Sequence, residues 1–191
     1  MEDRQLVVKA LLECYPYIDD MHDALTRMVE KCVADGFYAV FAEEQMRLYE
    51  RILKYNDRKI GLHNMKYLLE QGTNRPKSLL RARYLERKSA ATIAAECDIP
   101  LRTVYRHLSA EIVTLAGIFE GMGFDKKRIL KEFGNEPLFT SMLKRVIEED
   151  DESARIKDLA KRTNIRPFGE VSFRNNRRNR PPRNNDDCAS A

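Results

Sequence analysis

The stretch IAAECDIPLRTVYRHL, residues 93–108, interrupts a helical pattern at Asp98-Ile99-Pro100 and resumes it at once. Proline has no backbone N–H and disfavours helical geometry at the residue before it, so a single long helix would not contain Pro100 here. Asp98 can adopt the left-handed conformation that a tight turn requires. The pattern therefore predicts a helix-turn-helix, in which two short helices pack nearly at right angles across a turn of about three residues.

The predicted motif has a small apolar core at the spacing that such a turn demands. Ala94 provides a small side chain where the two helices approach most closely. The side chains that we expect to be buried come from both helices and from the turn, and they are Ile93, Cys97, Ile99, Val104 and Leu108.

The second helix then presents an outward face that suits a DNA groove. A B-DNA major groove admits one α-helix, and an arginine can pair with both acceptors of a guanine edge. The candidates for base contacts are Arg102, Tyr105, Arg106 and Ser109. The preceding segment PKSLLRARYLERK is predicted to be helical and carries basic residues suited to phosphates, which fix register without reading sequence. The phosphate candidates are Arg81, Arg83, Arg87, Lys88 and, on the second helix, Thr103.

Residues 80–108 also resemble a known family. The segments Arg83-Tyr84-Leu85, Thr92-Ile93-Ala94 and Thr103-Val104-Tyr105-Arg106, with Ile99 between the last two, resemble the helix-turn-helix of sigma factor region 4. They are also similar to the sigma-like regulators that control late genes in bacteriophages and mobile elements. The resemblance implies DNA binding in the cytoplasm of a bacterial or phage-infected cell, with RNA polymerase among the candidate partners. The N-terminal half shows no sigma region 2, so a complete sigma factor is not implied.

The whole chain reads as an all-α protein, because no short run alternates apolar and polar residues with the β-branched richness of a strand. Four regions are expected along its 191 residues. They are an N-terminal helical hairpin at 1–72, a helix-turn-helix DNA-binding domain at 73–122, a C-terminal helix pair at 123–163, and a disordered Arg/Asn-rich basic tail at 164–191.

Local signals predict where individual helices begin and end. A first helix should end near Pro16 and a second at Gly36. Asn74 and Pro76 suit the start of a helix, and Asp125 suits the cap of another. The acidic run at residues 148–152 is expected at the end of the last helix. On the second helix a stripe with spacings of three and four predicts self-association into a homo-oligomer, and it consists of Ile18, Met21, Leu25, Met28 and Cys32.

Positive charge is concentrated in two parts of the chain. Residues 75–108 carry 8 basic and 3 acidic side chains, and residues 155–191 carry 10 and 4. The other two parts are acidic, with 10 basic and 13 acidic side chains in residues 1–74, and 6 and 10 in residues 109–154. This distribution is expected when two parts of a chain contact a polyanion. The tail residues predicted to contact nucleic acid are Arg174, Arg177, Arg178, Arg180 and Arg183.

Several classes of function lack support in the sequence. No apolar run approaches the roughly 20 residues of a membrane span, and the acidic start is unlike a secretory signal. The four cysteines show no metal-ligand or disulfide spacing, so we expect reduced thiols and no metal. Phosphate-binding glycine loops and the common catalytic motifs do not occur, so we expect no cofactor and no enzymatic activity.

The sequence therefore favours a sequence-specific DNA-binding transcription regulator that acts on double-stranded DNA. A phage DNA-packaging subunit of the small terminase type, or a recombination subunit, would use the same motif for another purpose. An RNA-binding protein that relies on its arginine-rich tail, and an assembly protein in which the motif is only structural, also remain open.

Overall fold

A computed structural model describes residues 2–163 of the chain, and every regular element in that range is helical. The prediction of an all-helical protein is confirmed for this range. The helices are α1 (Asp3–Tyr38), α2 (Ala42–Thr73), a π-helical turn (Arg81–Leu85), α3 (Ala90–Cys97), α4 (Leu101–Gly121), α5 (Lys126–Phe133) and α6 (Pro137–Thr163). The tail proposed at residues 164–191, with its five arginines, lies outside the described residues.

α1 and α2 form a long antiparallel hairpin. The Tyr15 hydroxyl of α1 donates to the Glu70 carboxylate of α2 (2.9 Å). One turn further along α1, Asp19 contacts Lys66 Nζ of α2 (2.7 Å). Because the partner residue number falls on α2 as it rises on α1, the two helices run in opposite directions. The intervening faces are lined with leucine side chains, and their burial supplies the main stabilising term.

Two predicted helix ends in α1 are wrong. α1 runs through Pro16 without interruption and ends at Tyr38 rather than at Gly36. Burial of Cys14 and Ile18 on either side of the proline holds the chain in one helix, and this packing outweighs the lost backbone hydrogen bond.

The stripe predicted to mediate self-association lies mostly inside the protein. Ile18 and Leu25 belong to the main core, Cys32 is buried and Met21 is half-buried, while Met28 is exposed. The spacing of these residues therefore reflects packing of α1 within the chain. This corrects the prediction that the stripe forms a surface for a second copy.

The connection after α2 also differs from the prediction. Asn74 follows the last residue of α2 instead of capping a new helix, and Pro76 lies in a turn. Gly72, in the last turn of α2, lies directly against the ring of Phe119 in α4. This close approach favours continuing α2 up to Thr73, whose hydroxyl donates to the Leu69 carbonyl (2.7 Å).

Residues up to Asp151 form one compact unit with a continuous core. α1, α2, α4, α5 and α6 all contribute fully buried side chains, including Leu11, Leu62, Phe119, Phe133 and Phe139. Arg58 of α2 donates two hydrogen bonds to Glu136, at 3.1 and 2.8 Å, and the buried Glu136 immediately precedes α6. This forked ion pair fixes the start of α6 against the hairpin.

Asp125 caps α5 as predicted, since its side chain accepts a hydrogen bond from the Arg128 backbone N–H (2.8 Å). The acidic run at residues 148–152 was predicted to end the last helix, but it lies inside α6. A second unit begins at Glu152, and its described part is the remainder of that helix. Within the described residues, no helix is both long enough and apolar enough to cross a membrane.

Alkylation of the native protein is expected to modify Cys97 quickly and to leave Cys14 unmodified. Cys97 is exposed, whereas Cys14 is buried, and this burial raises the pKa of the Cys14 thiol to about 12. The thiolate is the reactive form, so Cys14 should react only after unfolding. Brief iodoacetamide treatment with and without urea, followed by peptide mass mapping, would test this. Equal modification of both cysteines in the native protein would contradict the packing of α1.

Candidate nucleic-acid interface

The turn between α3 and α4 has the geometry that the sequence predicts. Asp98 adopts a left-handed conformation (φ 51°, ψ 46°) immediately after α3. The Ile99 N–H donates to the Ala94 carbonyl (3.1 Å), which closes the end of α3. Pro100 immediately precedes α4 and accepts hydrogen bonds from the N–H groups of its first turn. The turn is therefore fixed by backbone bonds and sets the direction in which α4 leaves.

α3 begins at a side-chain cap. The Ser89 hydroxyl accepts a hydrogen bond from the Thr92 N–H (3.0 Å) and also contacts the Thr92 hydroxyl (2.7 Å). Serine at this position satisfies one of the N–H groups that every helix start leaves without a partner.

The small core of the motif is formed by most of the predicted residues. Ile93, Val104 and Leu108 are buried, and Ala94 and Ile99 are half-buried. The prediction for Cys97 is wrong, because its side chain is exposed. α3 ends at Cys97 and the left-handed residue after it redirects the chain, so the core does not extend as far as this last position.

All four candidates for base contacts lie on the exposed face of α4. Arg102, Tyr105, Arg106 and Ser109 follow a spacing of three, one and three residues, which places them on one side of a helix. The Ser109 hydroxyl donates to the Tyr105 carbonyl (3.0 Å), so it can offer an incoming group only its acceptor lone pairs. Two arginines and a tyrosine therefore remain the main candidates for contacting a ligand.

The C-terminal half of α4 is part of the protein core. Ile112, Leu115, Ala116 and Phe119 are buried among the other helices. The buried side of α4 continues from Val104 and Leu108 into this core, so the helix cannot rotate independently of the rest of the fold. The exposed arginines are thus carried on a rigid element, which suits recognition.

The segment before α3 is shorter and less regular than predicted. The expected helix over PKSLLRARYLERK is reduced to a short π-helical turn, in which the Glu86 N–H donates to the Arg81 carbonyl (2.9 Å). Arg87 then adopts a positive φ of 57°. A bend at this point places Ser89 for its role as the cap of α3.

The predicted phosphate contacts of this segment are engaged in interactions within the chain. Arg81 lies 3.6 Å from Glu86, and the Arg83 guanidinium donates to the Lys88 carbonyl (3.1 Å). Arg87 donates to the carbonyl of Pro16 in α1. Exposed ion pairs of this kind contribute little to stability, so Arg81 can release the Glu86 carboxylate and bind a phosphate at small cost. The bond from Arg87 to α1 makes that residue partly structural.

Lys88 and Thr103 are the least accessible members of the phosphate group. Lys88 Nζ contacts Glu96 (2.8 Å) and Glu86 (3.5 Å), and the hydrogen bond that Lys88 donates to Glu96 raises the pKa of Lys88. Thr103 is half-buried in the first turn of α4. Two carboxylates beside Lys88 reduce the positive potential there, so this position is a weaker anion site than the sequence suggested.

Glu111 has a positioning role that the sequence did not reveal. Its carboxylate accepts hydrogen bonds from the Ser78 hydroxyl (3.1 Å) and from the backbone N–H groups of Leu79 (3.2 Å) and Leu80 (3.1 Å). A residue of α4 thereby anchors the start of the segment that carries the basic side chains. No motif or spacing marks a single glutamate more than 30 positions away as this partner, so only the tertiary structure identifies it.

Tyr84, part of the sigma-like resemblance, packs against the core. Burial raises the pKa of its hydroxyl to about 12, so the side chain stays neutral and acts as a packing residue. Among the described residues, no cluster of His, Cys, Asp or Glu could hold a metal ion. Comparison with known protein families, with curated proteins and with solved structures finds no match to this chain.

Proposed function

We propose that the protein is a sequence-specific DNA-binding transcription regulator that inserts the N-terminal turns of α4 into the major groove of double-stranded DNA. The observation that carries this proposal is the exposed face of α4, on which Arg102, Tyr105 and Arg106 follow a turn fixed by backbone hydrogen bonds. Arginine is the side chain most often used for specific contacts to guanine. Helix-turn-helix proteins dock on DNA through the N-terminal residues of the helix that follows the turn, which supports this proposal.

The remaining parts of the proposal follow from the sites around α4. Arg81 and Arg83 lie in the segment that Glu111 anchors to α4, which suits contacts to the sugar-phosphate backbone. The resemblance to sigma region 4 supports an action on transcription in the cytoplasm of a bacterial or phage-infected cell, with RNA polymerase as a candidate partner. The basic tail would add contacts that carry no sequence information.

A test of the proposal uses Arg102→Ala and Arg106→Ala on a cognate duplex obtained by selection from a random DNA pool. Each substitution is expected to cost about 1–3 kcal/mol of binding free energy on the cognate site if it removes a bidentate base contact. The loss should be much smaller on a scrambled duplex. Competition binding at fixed salt measures both values.

Two control variants separate base reading from general electrostatics. Arg106→Lys keeps the charge but loses the planar fork, so it should lose sequence preference almost as fully as Arg106→Ala. Lys127→Ala removes one exposed cation from α5 and should leave the preference intact. Equal losses on cognate and scrambled duplexes would reassign Arg102 and Arg106 to phosphate contacts. Selection that enriches no sequence would reject the proposed function.

DNA packaging is the second candidate, because it would use the same α4 surface within a larger assembly. A ring of many copies in solution would favour packaging. A dimer that protects a DNA site with two-fold symmetry would favour regulation.

A further inference from the structure

α2 carries a second apolar face that the rest of the described chain does not cover. Met46, Leu53, Ile60 and Tyr67 recur every seven residues, and Tyr49 lies between the first two. We call these five residues the outer stripe. Each of them exposes between 47% and 60% of its surface. The opposite face of α2 contributes buried residues such as Leu48, Leu62 and Leu69 to the hairpin.

A surface helix of a globular protein normally has one apolar face, directed at its own core. A strict seven-residue repeat of exposed apolar residues is the pattern of a helix that packs against another helix in a coiled coil. α2 has both, and α1 already occupies its inner face. We infer that the outer stripe is a dimer interface, on which α2 of a second copy of this chain packs.

The area of the surface is sufficient for a stable dimer. Five side chains that each expose about half of their surface amount to roughly 500 Å². The tip of the hairpin adjoins the N-terminal end of the stripe along the chain. Each of its four large apolar residues exposes between 72% and 86% of its surface, and they are Phe37, Tyr38, Val40 and Phe41. These four would add a comparable area, and a stable interface needs about 800 Å² per partner.

Carboxylates at the tip of the hairpin disfavour anionic occupants. The tip carries Asp35, Glu43 and Glu44, all of them exposed, and these carboxylates would be repelled by anionic lipid headgroups and by nucleic acid. Two polar residues, Asn56 and His63, occupy intermediate positions of the stripe. Polar residues within such a seam lower the stability of the pair and fix its register, which suits a specific dimer rather than open aggregation.

The mass of the full chain in solution tests this inference, and it does so without reference to DNA. Sedimentation velocity over a dilution series should give twice the chain mass of 22.3 kDa for the unmodified protein. Ile60→Glu should weaken association on the order of 100-fold, because it buries an unpaired charge twice per dimer. Ile147→Glu is the matched control, since Ile147 is an exposed isoleucine of α6 outside the stripe. It should leave the dimer unchanged.

A label at one end of the stripe tests whether α2 of one copy packs on α2 of the other. A spin label at Met46→Cys, with Cys97 and Cys188 replaced by serine, should report a separation of roughly 25–35 Å in an antiparallel pair. A parallel pair would give about 10 Å, and a distance that fits neither arrangement would overturn the packing of α2 against α2. A protein that stays monomeric at all concentrations would overturn the dimer. An Ile60→Glu protein that dimerises like the unmodified chain would also overturn it. Failure of DNA binding with a stripe-dependent dimer would reject only the proposed function.

Discussion

The Gly72→Ala substitution is expected to lower the free energy of unfolding by about 1–3 kcal/mol, the range observed when a close-packed core is overfilled. A Cβ at this position would lie 2.4 Å from Phe119 Cε1 and 2.7 Å from Leu115 Cδ1. Both neighbours are buried and cannot move into solvent. Either α2 or α4 must therefore shift, and neither can do so without opening gaps elsewhere in the core.

Gly61→Ala provides a control of the opposite sign in the same helix. No atom lies within 4 Å of a Cβ built at Gly61, so alanine there should raise stability by about 0.5–1 kcal/mol through its better helix propensity. Urea unfolding followed by circular dichroism, at one protein concentration for all variants, gives both values. A Gly72→Ala protein as stable as Gly61→Ala would show that α2 and α4 are further apart than described.

Features set by neighbouring residues were predictable from the sequence. Asp98 takes the left-handed conformation that the turn needs, and Asp125 caps α5 through the Arg128 N–H. In both cases the deciding contacts span at most a few residues of sequence. The exposed face of α4 was also predictable, because helical periodicity places Arg102 and Arg106 on the side opposite Val104 and Leu108.

Features set by packing between distant segments were not predictable in this way. Pro16 would end an isolated helix, yet α1 continues because the residues on both sides of it are buried against other helices. Asn74 was expected to cap a new helix, yet it follows the end of α2, whose last turn packs through Gly72 against Phe119 of α4. A proline inside a helix costs about 3 kcal/mol and the other residues differ by up to about 1 kcal/mol, so burial of a few side chains outweighs these local preferences.

The candidate site shows the same division. The exposure of Arg102, Tyr105 and Arg106 on α4 was predicted correctly. The roles of Arg87 and Glu111 were not, because they depend on partners in α1 and in the segment before α3. The outer stripe of α2 was present in the sequence as a seven-residue repeat. It was missed because Leu48, Leu62 and Leu69 give α2 a second apolar periodicity, and sequence alone does not show which face α1 covers.

Deleting residues 167–191 is expected to weaken binding to all duplexes and to flatten the dependence of affinity on salt. The segment contains Arg174, Arg177, Arg178, Arg180 and Arg183, and it lies outside the described residues, so the prediction rests on their charge alone. Each arginine that neutralises a phosphate releases condensed counterions and adds roughly 0.9 to the slope of log affinity against log salt. Loss of all five contacts would flatten the slope by about 4–5 units.

A full-length variant with glutamine at the five arginine positions separates charge from chain length, and it should match the deletion in both affinity and salt slope. The ranking of duplexes should survive in both variants, because phosphate contacts carry no base information and α4 is unchanged. An unaltered slope would assign the tail to some role other than phosphate binding. Loss of the ranking would mean that the tail reads a groove, since the exposed face of α4 would then be insufficient to distinguish one sequence from another.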